Sequence, residues 1–170
     1  MSVNIDVTLH GAAELSDLWR RAPEICRQEL TAAMLEAELL MQREVKELTP
    51  VGVGGGGGLR GSVTALSPQA IGDSVIGVVG SPLNYAEPVE VGTRPHWAPI
   101  EPLEDWVRHK LDVSEDEVPG VARAIQRKIA ARGTPAVGMF HRAFAANRAQ
   151  VVRMFEAARL RIVQRLGGTT

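Results

Sequence analysis

The sequence predicts an α+β fold: a roughly four-stranded antiparallel sheet packed against long α-helices. Three observations carry that expectation. Apolar residues recur at helical spacing through residues 23–48 and again through 139–166. The central stretch, 49–93, alternates apolar and polar residues between glycine and proline punctuation. A length of 170 residues, with 45% hydrophobic and 23% charged, suits one globular domain able to bury a core without staples. We therefore read residues 1–170 as a single domain.

Val3, Ile5, Val7 and Leu9 alternate with polar residues up to Gly11 and predict a half-buried first strand. Leu15, Leu18 and Trp19 mark a helix over 12–21, with a kink or break expected near Ala22, because Pro23 suits the first turn of a renewed helix. The helix over 23–48 is the best determined, since Leu30, Met34, Ala37, Met41, Val45 and Leu48 recur every three or four residues. Glu24 and Glu29 lie near its positive end. Leu35, Leu39 and Leu40 widen the stripe, so burial is expected both against a sheet and against another helix or subunit.

Thr49 and Pro50 stop that helix. A glycine run follows over 50–58, then Leu59-Arg60-Gly61-Ser62. Residues 63–66 and 74–79 predict two strands, with turn chemistry at Ile71, Gly72, Asp73 and Ser74. Residues 85–91 predict a fourth strand, placed at an edge by Pro88, which cannot donate to a ladder. The proline-stiffened loop over 92–102 carries Trp97, which either anchors an interface or folds back over the sheet. Leu103, Trp106, Val107 and Leu111 mark a short helix, and an acidic turn covers 112–117. Val121, Ile125 and Ile129 mark a helix ending near Gly133, and Phe140, Phe144, Val151, Phe155, Ala158 and Ile162 form the stripe of the last one, interrupted at Asn147.

Catalytic and cofactor motifs are not apparent, and no catalytic, cofactor-binding or metal residue is expected. The single cysteine, Cys26, lies in a helix and reads as a structural thiol. His10, His96, His109 and His141 fall in four separate segments. Glu101, Asp105 and His109 share a helical face, but with no further ligand beside them a solvated pair is the plainer reading. Gly52, Gly54 and Gly57 fit a GxGxxG pattern, yet a dinucleotide loop follows a strand and opens a helix, and this one follows a helix. A flexible loop that orders on assembly is the better expectation. Residues 1–9 lack a secretory signal, and no stretch approaches the about 18 apolar residues of a membrane span, so no membrane partner is expected and the chain is read as cytosolic when made.

Charge is unevenly placed. From Val118 onward ten basic residues face the single acid Glu156, whereas the whole chain has a net charge of -1. The basic end therefore balances an acidic beginning, and the two halves could meet within one chain or between neighbours.

Several of these pieces together resemble a known family. Leu9, Gly11, Glu14 and Leu15 open the chain, and a long helix ends in Thr49-Pro50. A glycine loop enters Leu59-Arg60-x-Ser62, and Tyr85-Ala86-x-x-Val89-Glu90-x-Gly92-Thr93 closes the segment. This order resembles the tail-component family of long-tailed double-stranded DNA bacteriophages, which includes tail-completion and head–tail joining (neck) proteins. The likeness covers about the first 95 residues. The chain departs from the family pattern in its glycine-rich loop, where a shorter Pro-x-x-Thr-Gly turn is usual, and in a longer helical insertion over about 99–135.

The resemblance implies a structural virion protein, present in host cytoplasm during assembly and then in the neck or tail. It implies a homo-oligomeric ring, a hexamer, meeting connector or stopper proteins on one side and tail-terminator or tail-tube proteins on the other. The alternatives are a tail-terminator ring and, from a different class, a sequence-independent DNA-binding module built on the basic C-terminal helices; a hydrolase would need a convergent polar pocket that the sequence does not reveal. The expected partner or oligomer interface comprises Pro50, Gly54, Gly56, Gly58, Leu59, Arg60 and Ser62, supported by Tyr85, Glu87, Glu90, Thr93 and Trp97. A basic face of Arg142, Arg148, Arg153, Arg159, Arg161 and Arg165 faces either DNA in the lumen, a neighbouring subunit or solvent.

Overall fold

The computed structural model describes residues 12–53, 58–72 and 74–167, so the strand expected over Val3 to Leu9 lies outside the described residues. The class is mixed α and β with helix predominant. Helix α1 (Ala12–Leu48) runs unbroken through Pro23, so the break expected near Ala22 does not occur. A proline inside a helix costs roughly 3 kcal/mol. Buried Ile25, Ala33, Ala37, Leu40 and Val45 all lie beyond it on the same helix, and their tertiary packing offsets that cost. At the far end the Thr49 hydroxyl donates to the Val45 carbonyl at 2.6 Å.

A short helix α2 (Leu59–Ser62) leads into β1 (Thr64–Ala65), β2 (Gln69–Ile71), β3 (Ser74–Ile76) and β4 (Val79–Gly80). These form two two-stranded antiparallel ladders, β1 with β4 and β2 with β3, in place of the expected four-stranded sheet. The Leu66 amide donates to the Val78 carbonyl at 2.9 Å, making the ladders successive parts of one hairpin. The register steps by one residue where Ser67 and Pro68 lie opposite Gly77. Pro68 has no amide to donate, so the ladder breaks there as a bulge.

The same point is where the hairpin crosses α1. A Cβ on Gly77 would stand 2.6 Å from both Glu38 Oε1 and Met34 Sδ, so any larger residue there requires those two side chains to shift. The amides that the ladder leaves free are taken by α1 side chains one turn apart. Val78 N–H donates to Glu38 Oε1 at 2.5 Å, and Ala65 N–H donates to Gln42 Oε1 at 2.6 Å.

The expected fourth strand is a helix, α3 (Ala86–Val91). Pro88 sits in its first turn, where a missing amide leaves no intrahelical bond unmade, so the proline that suggested an edge strand is equally at home there. Helices α4 (Ile100–Lys110) and α5 (Val118–Arg132) then form a hairpin with its own small core of Val107, Val118 and Ala122. Helix α6 (Met139–Arg165) returns antiparallel along α1: Met139 packs by Val45, while Arg161 and Arg165 reach Glu29. The main core gathers Val45, Leu59, Val63, Ala86, Met139 and Ala143 where α1 ends and α6 begins. Each of the larger side chains among them contributes about 1.5–3 kcal/mol by leaving water.

Candidate assembly interface

The chain on both sides of the glycine run borders one open cleft of about 750 Å³. Pro50 and Val51 form one wall, Tyr85 and Val89 another, and Trp106 and Ile129 close it from the α4–α5 side. Gly58, Leu59 and Thr93 also line it. The structure thus brings together five of the expected interface residues: Pro50, Gly58, Leu59, Tyr85 and Thr93. Gly54 and Gly56 lie outside the described residues.

Several expected contact residues also make contacts within the fold. Leu59 is a core residue, only 6% exposed. Arg60 reaches back to the end of α1, donating from Nε to the Lys46 carbonyl at 2.6 Å and from a terminal nitrogen to the Glu47 carbonyl at 3.5 Å. It thereby covers carbonyls that a helix end leaves open and places a cation at the negative pole. Ser62 donates to the Leu59 carbonyl at 2.8 Å and shares a hydrogen bond with Ser81 at 2.7 Å. The Glu90 carboxylate accepts the Phe140 and His141 amides, each at 2.9 Å, and so caps the N-terminus of α6, where Gly138 has no side chain to do it.

Thr93 closes the base of the α4–α5 hairpin against Thr134. Their backbones exchange hydrogen bonds at 3.0 and 3.3 Å, and their hydroxyls meet at 2.9 Å. The approach is close enough that a Cβ on Gly133, at φ +70°, would lie 1.9 Å from the Thr93 carbonyl oxygen. Gln126 donates to the Ala98 carbonyl at 2.7 Å and pins the proline loop to α5. Trp97 stands out from that loop, 68% exposed, between Pro95 and Pro99. It does not fold back over the hairpin sheet, and Glu87 is exposed as well.

The arginines divide. Arg161 and Arg165 donate to the two oxygens of Glu29 at 2.7 and 3.0 Å, and Arg159 pairs with Glu156 at 2.8 Å. At Glu29 the acidic and basic parts of the sequence meet within one chain. These bonds, Arg161 first and then Arg165, hold the Glu29 carboxyl below its ordinary value. Arg142 turns to the Val137 carbonyl at 3.4 Å, while Arg148 and Arg153 are exposed and make no ion pair with another described residue. Helix α5 carries Arg123, Arg127, Lys128 and Arg132 with no acid in its sequence, and none of the four pairs with a described acid.

Asp105 and His109 each have a partner on their own helix. Arg108 pairs with Asp105 at 2.9 Å, the His109 ring donates to the Asp105 carbonyl at 2.8 Å, and no three metal-ligating side chains stand together among the described residues. No described helix is long and apolar enough to cross a membrane. Sequence reasoning missed Glu38, Gln42 and Trp106, whose partners lie 23 to 40 residues away or across the cleft. No local pattern marks them, because the hairpin's register decides which amides they meet. No family model, curated protein or solved structure matches this chain.

Proposed function

We propose that this chain is a structural ring protein of a tailed phage, working in the neck or at the head-proximal end of the tail to complete the tail and join it to the head. The reading rests on one observation. Residues from the pieces that carry the family resemblance, Pro50, Gly52, Gly58, Leu59, Tyr85 and Thr93, border a single open cleft. A partner segment entering there would meet an apolar wall of Val51, Val89 and Trp106. Trp97, fixed on its stiff loop nearby in sequence, is the kind of rigid aromatic that anchors protein interfaces. Ring closure needs two different patches on each subunit, and hexameric order is taken from the resemblance.

The test is solution mass by light scattering at low and high salt, with electron microscopy of the protein mixed with tail tubes or connectors. A ring, alone or seated on the end of a tail, is the expected outcome. A tail-terminator role would differ in which ring it touches, and binding to tubes without connectors would select it.

A second reading, a sequence-independent DNA-binding module, is favoured by exposed Arg148 and Arg153 and by the acid-free helix α5. It predicts a gel shift that weakens steeply with salt. A chain that stays monomeric, ignores virion parts and shifts DNA at low salt would replace the ring reading with this one.

A further inference from the structure

Glu38 is the one buried carboxylate with an unmet oxygen among the described residues. It is 3% exposed, its Oε1 accepts the Val78 amide, and its Oε2 has no partner. A buried anionic oxygen without a donor is costly, and folded chains rarely leave one so. The residue lies on the wall of a cavity of about 390 Å³ between α1, the hairpin and α6. Met34, Met41, Val79, Phe140 and Phe155 make the rest of the wall almost wholly apolar. The volume is more than twice the roughly 150 Å³ of an apolar cavity that accepts benzene. The space opens to solvent, so an outside group can enter it, and an occupant with an apolar stem and a cationic end matches both its apolar wall and its one carboxylate.

We propose that this cavity is a socket for a basic side chain of helix α5 from a second copy of the chain. Charge complementarity selects α5. Its Arg123, Arg127, Lys128 and Arg132 are exposed, face no acid on their own helix and pair with no described acid, whereas on α6, itself a wall of the socket, Arg159, Arg161 and Arg165 are engaged by acids and only Arg148 and Arg153 are exposed without an ion pair or hydrogen bond among the described residues. The α4–α5 hairpin has its own core and joins the rest through the Thr93–Thr134 bridge, so it can present α5 outward as an arm. Met34 lies beside Glu38 over Gly77, and its flexible thioether can give way to an incoming guanidinium or ammonium group. Arm and socket are different patches on one chain, so the contact is heterologous, the kind that closes rings. This inference deepens the ring reading and rests on it.

The test uses two full-length variants, Glu38→Gln and the triple change R123E/R127E/K128E, with mass measured by sedimentation over a concentration series. Glu38→Gln keeps the side chain's shape and its acceptor for Val78, and circular dichroism of both variants checks the fold. Each variant alone is expected to lose self-association by about thirtyfold or more, as when one partner of a buried charge pair is removed. Mixed together they are expected to form dimers and stop there, because the Glu38→Gln copy keeps its arm and the triple variant keeps its socket. Folded variants that associate like the parent would overturn the inference while leaving the ring reading intact. So would a mixture that stays monomeric. A parent chain that is monomeric at its highest soluble concentration also overturns this contact, and the ring reading is then decided separately by binding to tail ends.

Discussion

Glu90 ties α3 to α6, since its carboxylate caps α6 while its backbone carbonyl accepts the Gly138 amide at 3.0 Å. Glu90→Ala is expected to cost about 1–2 kcal/mol, the usual loss when a helix N-cap is removed, read as a lower midpoint in chemical denaturation. Glu29 supplies a pH dependence. Its carboxyl is depressed below an ordinary value of 4.5, first by the bond from Arg161 and then by that from Arg165. A group depressed in the folded state adds stability that is fully present above its unfolded value and is lost as the pH falls through its folded value. Melting temperature should therefore drop faster in the parent than in Glu29→Gln as the pH is lowered below 4.5, and parallel curves would remove Glu29 from the acid response. Both glutamates are plain in the sequence. Their partners, 50 and 132 residues distant, are not.

Pro23 lies eleven residues inside the 37-residue α1, with helix on both sides. Pro23→Ala should stabilise the chain, by up to about 3 kcal/mol if the restored amide completes the ladder. A Tm that falls would mean the proline positions the first turns of α1 for packing. The α4–α5 hairpin depends on its base. Gly133→Ala places a Cβ 1.9 Å from the Thr93 carbonyl at a φ of +70°, and both the clash and the conformation oppose it. A cost of about 3 kcal/mol or more is expected from thermal melts, larger than that of a Gly→Ala change at Gly120, where a Cβ meets open space. Amphipathic periodicity made α4, α5 and α6 legible from residue types alone. The strand expected over 85–91 failed because proline is tolerated both at a sheet edge and in a first helical turn, and six residues are too few for periodicity to choose.

Two cores, one shared by α1, α2, α3 and α6 and one confined to α4 and α5, set the behaviour of the whole chain. Hydrogen exchange should reflect this division. Amides of α4 and α5 are expected to exchange through a local opening of lower free energy than those in the second half of α1 and the first half of α6. Equal protection throughout would show that the arm and the main core unfold as one unit. If the proposed contact between copies forms, association should protect α5 most.

The sequence by itself determined the long helices, the body of α1 from residue 23 and then α4, α5 and α6, because a 3.6-residue period in apolar side chains needs no knowledge of partners. It also determined the helix stop at Pro50 and the charge polarity between the chain's two ends. Only the tertiary structure decided that the sheet is a single broken hairpin laid over α1, that Arg60 and Glu90 serve helix ends, and that Glu38 is buried beside an open cavity. Those outcomes depend on which backbone groups meet across long separations. A hydrogen-bonding side chain is satisfied by whatever the fold brings within about 3 Å of it, and its own neighbours in sequence carry no record of that partner.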